Sequence, residues 1–453
     1  MLTSLTSLTS LTSPTSPTSP TSAPETTSPS PVTATPAAPT RGRDRYIDTL
    51  RVLALGRVIA FHVTGWVALP LIFPSMGVMF ALAGSLMAAS LDRSPQNPWR
   101  VLHKRLRRML PPLWALGLVL VPLMLVLGWT ADEQAGAGSE FGWTSIALWL
   151  LPLADPPSSA AGAGWVIPLW YIRAYLWFVL ASPIMLWCFR RWPVRTLLTP
   201  LVVMLGYGVG LVELNGAEGD VVLEWAVFGA CWVLGFAHHD NLIRSIPLRK
   251  VVPAGLALMA AGVGWALLYP NPEVGFNLPD IPVADGLYCL GFVLLLLRIY
   301  PDFSWIARYR WLDALIAAMN RRAMTIYLWG NVAIFSAIAL IARVPALEPI
   351  MIDGSLTALA LTLTVTWALI GVAVLTFGWV EDVAANRPVQ LLPTSPGRHA
   401  RPRTVRPALL ATRNAAGLGR GGGPVPGLRA GRAHSPGPDH SPIRAGRCCL
   451  GSA

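Results

Sequence analysis

The run Asp48–His62 (DTLRVLALGRVIAFH) carries Arg51, Arg57 and His62 into the first long apolar stretch of a 453-residue chain. An arginine at membrane depth costs about 2.5–3.5 kcal/mol on insertion scales, so such groups usually face a protein interior and act there. At about 100° per residue Arg51 and His62 lie three turns apart, within about 20° of one helix face and roughly 16 Å along the axis. That spacing predicts a cation at the mouth of a cavity and a titratable imidazole deeper in the same cavity. His62 alone among the seven histidines falls inside an apolar run; His103, His238 and His239 fall in loops, and His399, His434 and His440 in the C-terminal tail. A lone membrane histidine has two uses, as a packed hydrogen-bonded residue or as a proton-transfer group, and the co-facial Arg51 favours the second. Arg57 points to another face and is expected to pair with a carboxylate on a neighbouring span. Arg105 and Arg108, at i and i+3, present two guanidinium forks on one face, either as an anion site or as plain topological anchors. Arg173, in the run WYIRAYLW beside Trp170 and Tyr171, could meet a ligand among aromatic faces or bond interhelical carbonyls.

Composition decides what must position these groups. The chain is 53% hydrophobic and 13% charged, with 19 Trp and a mean hydropathy of +0.52, too little charge to cover a soluble globule of this size. About ten apolar runs of spanning length cover residues 49–71, 74–91, 107–129, 166–188, 196–213, 221–237, 251–269, 284–300, 323–343 and 355–379. Lys/Arg-rich loops alternate with acidic ones, so both termini are cytoplasmic under the positive-inside rule. The net charge of +12 is read as this topology, with no nucleic-acid partner. The expected fold is an all-α polytopic membrane helix bundle in the cell membrane. Its membrane domain covers residues 44–388, between a Thr/Ser/Pro-rich tail (1–43) and an Arg/Pro/Gly-rich tail (389–453), both expected to be disordered. Phe141–Leu153 is too short to span comfortably and is expected as an interfacial or re-entrant piece. Cys188, Cys231 and Cys289 lie in separate runs and Cys448 and Cys449 in the tail, without metal-ligand spacing; no metal is expected.

Asp48-Thr-Leu-Arg51 followed by His62 resembles the first-helix signature of the integral-membrane acyltransferase 3 family. Met79–Met87 (MFALAGSLM), with Gly84, resembles its second-helix segment. Arg105-Leu-Arg107-Arg108-Met-Leu-Pro111 resembles its Arg-x-x-Arg motif, Leu169-Trp170-Tyr171 its Leu-Trp element, and Ile326-Tyr327-Leu328-Trp329 its late Tyr-Leu motif. The ordered set covers roughly 44–388. Two departures stand at Tyr175, near which many relatives carry an acidic residue, and at Gly330-Asn331, where many carry His.

The resemblance implies transfer of a short acyl group, acetyl in first place, from cytosolic acyl-CoA to a hydroxyl of a cell-envelope glycan, glycolipid or secondary metabolite. Acyl-CoA is then a donor substrate and no cofactor is permanently bound; the other expected partner is membrane lipid. His62 would be the catalytic base or a transient acyl carrier, and Arg51 would hold donor anions or the charge of the tetrahedral intermediate. Arg105 and Arg108 would bind the phosphates of CoA, and Trp170, Tyr171 and Arg173 the acceptor. A secondary transporter of a small anionic solute would also use buried cations and about ten spans, but no internal repeat is visible. A catalytically inactive relative is the third reading. Glu224 and Asp285, near the ends of their runs, are expected at the membrane interface.

Overall fold

The computed structural model describes residues 44–130, 141–347 and 355–390. These form α1 (Arg45–Thr64), the short α2 (Ala68–Ile72), α3 (Ser75–Asp92), α4 (Pro98–Val126), the short α5 (Trp143–Leu150) and α6 (Ala163–Val166), and α7 (Leu169–Arg191). There follow α8 (Pro193–Gly208), α9 (Gly216–His239), the single turn α10 (Leu242–Ser245), α11 (Leu248–Leu268), α12 (Pro282–Ile299), α13 (Arg310–Arg321), α14 (Ala323–Ile341) and α15 (Leu356–Ala384). Among the described residues there is no strand, only an isolated bridge between Asn271 and Gly275.

Each expected apolar run reappears as a long helix. Eight helical stretches, α2 and α3 counting as one, are long and apolar enough to cross a membrane. The other two fall short for identifiable reasons: α1 carries Arg45, Asp48, Arg51 and Arg57, and α8 has only 16 residues. Both pack among the apolar spans, α1 against α3 and α14, α8 against α9, α7 and α12. A helix is the natural spanning form because it satisfies its own backbone where water is absent. The chain is therefore an all-helical, multi-pass membrane bundle.

Local chemistry sets the helix ends. The Asp44 carboxylate accepts from Ile47 N to start α1, and Gly65, at φ 65°, closes it through its N–H on Phe61 O; only glycine adopts that conformation without strain. Asn97 caps α4 ahead of Pro98 at its first position, so the basic segment Arg100–Arg108 is already helical, earlier than the apolar run predicts. The amphipathic α13 was not expected at all. Its Asn320 amide donates to Asp48 O at 2.8 Å, and its Asp313 accepts from Arg45 at 3.2 Å, fastening the start of α1. Of the acidic residues expected in the loops opposite the Lys/Arg-rich ones, Asp132, Glu133, Glu140, Glu348 and Asp353 lie outside the described residues, as do the tails up to residue 43 and from residue 391.

The bundle centre is the α3–α9 contact. A Cβ on Gly235 would come within 2.6 Å of Ser85 N, and one on Gly84 would meet the backbone of Trp232, so the two glycines let backbones approach as small residues do between membrane helices. Beside them Phe80 stacks on Phe228 at 4.9 Å and Phe178 on Trp232 at 4.9 Å. At the Arg-rich end, Arg190 of α7 bridges Asp92 of α3 and Asp240 after α9, each at 2.8 Å, and His239 lies 2.8 Å from Asp92. At the opposite end the segment 141–153 lies along α4 and α7. α5 folds there with Trp149 against Gly117, and Trp114 donates to Leu150 O at 2.8 Å.

Candidate functional site

Two cavities open into the bundle from opposite ends, and α1, α7 and α14 contribute to both. The one nearer the Arg-rich end, about 240 Å³, is lined by Arg51 of α1, Arg105 and Arg108 of α4, Tyr171 and Tyr175 of α7, Asn320 of α13 and Tyr327 of α14, with apolar side chains between them. Arg105 is held in place. It donates to Leu86 O at 3.0 Å and Ser90 Oγ at 3.1 Å, with Tyr175 OH at 3.4 Å. Arg51 and Arg108 make no hydrogen bond to another described residue, and no carboxylate lines this cavity among the described residues. Three guanidiniums facing one space whose described lining holds no carboxylate make a site for an anion with several acceptor oxygens.

The second cavity, about 360 Å³, lies toward the other end. Its polar lining is Arg57, His62, Glu224, Asp280 and Asp285, and its aromatic lining includes Phe61, Trp170 and Phe228. Arg57 lies over the Phe61 ring at 4.9 Å, and its Nε is buried without a partner. Asp285 is 8% exposed, and one of its oxygens receives the Cys289 thiol at 3.4 Å. A cavity with cations, carboxylates and aromatic faces in one lining suits a polar, mostly uncharged organic ligand.

Arg51 and His62 do share a helix face, but they do not share a cavity. The single expected cavity is two, because helices packed against α1 close the space between the residues. Tyr327 is the one described residue in both linings. Its hydroxyl donates to Pro168 O at 2.8 Å, and its ring packs on Tyr171 with centroids 5.2 Å apart.

The other expected site residues separate in the same way. Arg105 and Arg108, on one face of α4 by their i and i+3 spacing, line the first cavity with Arg51. Trp170 lines the second cavity and Tyr171 the first, since neighbours in a helix point about 100° apart. Arg173 lines neither. It is 3% exposed and bonds Glu224 at 2.5 Å and Asp155 at 2.8 Å, with Asp220 at 3.8 Å. Of the two uses open to it, ligand contact or interhelical bonding, its contacts match the second, with a carboxylate cluster in place of carbonyls that ties α7 to α9 and to the loop carrying Asp155. Glu224 and Asp285, expected near the membrane interface, both line the second cavity. Glu224 Oε2 is buried without a hydrogen-bond partner. The available signal was a carboxylate within an otherwise apolar helix, next to the unexplained Arg57 and Arg173.

Comparison with curated proteins gave no match, and neither did comparison with solved structures. The family model of acyltransferase 3, described as an acyltransferase domain, matches residues 44–380. That span holds all of α1 to α14, most of α15 and every residue of both cavities. With its apolar helices, its two opposed cavities and this match, the chain belongs to the acyltransferase 3 family of membrane acyltransferases.

Proposed function

We propose that this protein moves a short acyl group, acetyl in first place, from cytosolic acyl-CoA to a hydroxyl on a cell-envelope glycan, a glycolipid or a hydroxylated secondary metabolite. The observation that carries the reading is the division of labour between two cavities that meet at Tyr327: one with three guanidiniums and no carboxylate among its described lining, the other with an imidazole among aromatic and polar groups. Arg51, Arg105 and Arg108 hold the phosphates of the donor. The donor's flexible arm then carries the thioester past Tyr327 toward His62, a distance of roughly 16 Å along α1. His62 takes the proton of the acceptor hydroxyl as its oxygen attacks the thioester carbonyl. The C–S bond breaks, the ester forms, and the departing thiolate recovers the proton from the imidazolium, leaving CoA thiol and neutral histidine. In the other order His62 carries the acyl group itself and passes it to the hydroxyl. Trp170 stacks on the acceptor.

The test is release of CoA thiol from acetyl-CoA by membranes holding equal amounts of the wild type, His62→Ala, Arg51→Ala and Arg105→Ala/Arg108→Ala. Turnover is expected to vanish with His62→Ala, and the arginine variants are expected to weaken mainly through a higher KM for the donor. Turnover indifferent to all of them would sink the assignment. Absence of turnover in every form, with candidate acceptors supplied and the fold intact, would move the reading to a transporter of small anions or an inactive relative.

A further inference from the structure

The two cavities share one side chain, and that side chain stands where an acyl group would have to pass. Tyr327 is buried, 6% exposed. It is pinned at its hydroxyl by Pro168 O and braced at its ring by Tyr171, so it is not free to swing aside without breaking both contacts. Around it the path is narrow. Ile59 of α1 is buried beside α14, close to Gly330, one helical turn after Tyr327. Resting on the acyl-transfer reading above, we propose that Tyr327 is the residue that determines acyl-chain length, its ring forming the partition between the guanidinium cavity and the imidazole cavity. A two-carbon acyl group at the end of a thin, flexible arm fits past the ring edge. With the thioester at His62 the arm itself fills the gap, so a longer chain must fold back beside it against the ring, into space that close-packed neighbours do not widen.

Removing the ring joins the two cavities; removing only the hydroxyl leaves the partition standing. Thiol release from acetyl-, butyryl- and octanoyl-CoA is compared for the full chain in lipid nanodiscs as wild type, Tyr327→Phe, Tyr327→Leu and Tyr327→Ala. The wild type and Tyr327→Phe are expected to prefer acetyl-CoA with similar profiles. Tyr327→Leu and Tyr327→Ala are expected to raise the octanoyl-to-acetyl ratio of kcat/KM at least about tenfold, in the range a few methylenes are worth in a hydrophobic passage. The leucine variant keeps the experiment readable if alanine unfolds the bundle. An unchanged ratio in both variants overturns the proposal.

A second readout needs no turnover, so it also separates failure of this proposal from failure of the acyl-transfer reading. Ile167, exposed and in the lining of the imidazole cavity, is replaced (Ile167→Cys), and a membrane-impermeant thiol reagent bulkier than the donor's arm is applied to oriented vesicles from the Arg-rich face. Modification at position 167 is located by mass spectrometry. Protection with Tyr327 in place and labelling in Tyr327→Ala support the partition. Labelling with Tyr327 in place overturns it, as does protection that persists in Tyr327→Ala.

Discussion

Arg173 shows how a buried charge is kept, and what keeping it does for a cavity it does not touch. Removing one partner of a buried ion pair leaves the other uncompensated and costs about 3–5 kcal/mol. Arg173→Ala is therefore expected to lower the thermal unfolding midpoint in detergent far more than Arg173→Met/Glu224→Leu, which removes the arginine with its most buried partner, leaves only the half-exposed Asp155 and Asp220, and keeps the volume filled. Equal losses in the two variants would mean that the cluster contributes packing rather than charge pairing. Periodicity placed Arg51 and His62 on one face of α1 and paired Arg105 with Arg108, because those relations are internal to a helix. It could not place Arg173, Glu224 or Asp285, because what surrounds them is supplied by other helices far away in the chain. The residue count from Arg173 to Glu224 carries no hint that their side chains meet at 2.5 Å.

At the scale of elements, the long helices were legible from hydropathy because a spanning run has a length set by the bilayer. α13 was not, since a short amphipathic helix leaves no spanning run and its sequence reads as another basic loop. The start of α4 was misplaced for a related reason: helix caps and Pro98, not hydrophobicity, set it. The α3–α9 contact gives the element-scale prediction. Gly235→Ala must press a methyl against Ser85 N and Ala81 O, and overpacking of this kind typically costs about 1–3 kcal/mol. Gly235→Val is expected to lose more, visible as a lower yield of folded protein and a lower unfolding midpoint. Gly264→Ala, on α11 with open space around its Cβ position, is the control expected to change neither.

For the whole molecule, the alternation of loop charge gives an orientation that can be checked directly. Reporters fused after Gln390 and within the 271–275 turn are expected on opposite sides of the membrane, the first in the cytoplasm. Both on one side would refute the ten-pass topology. If the first reporter is cytoplasmic, the guanidinium cavity faces the same side, as the proposed acyl-CoA donor requires. What the sequence left open at this scale was the splitting of one expected cavity into two, which depends on how α3 and α14 pack against α1.

One consequence follows from α1 alone. Arg51 and His62 sit on the same unbroken helix, capped by Asp44 at one end and Gly65 at the other, so their separation behaves like the spacing of teeth on a rigid rod. Inserting or deleting a single residue between positions 52 and 61 would turn His62 about 100° and shift it about 1.5 Å against Arg51, while leaving hydropathy and span length almost untouched. Such a frame-preserving indel is expected to abolish turnover in a protein that still inserts and folds, whereas one added in the 271–275 turn is expected to be tolerated. Insertion scanning across the gene would then show α1 as a short zone of zero tolerance, set by gearing between the two cavities rather than by the identity of the intervening side chains.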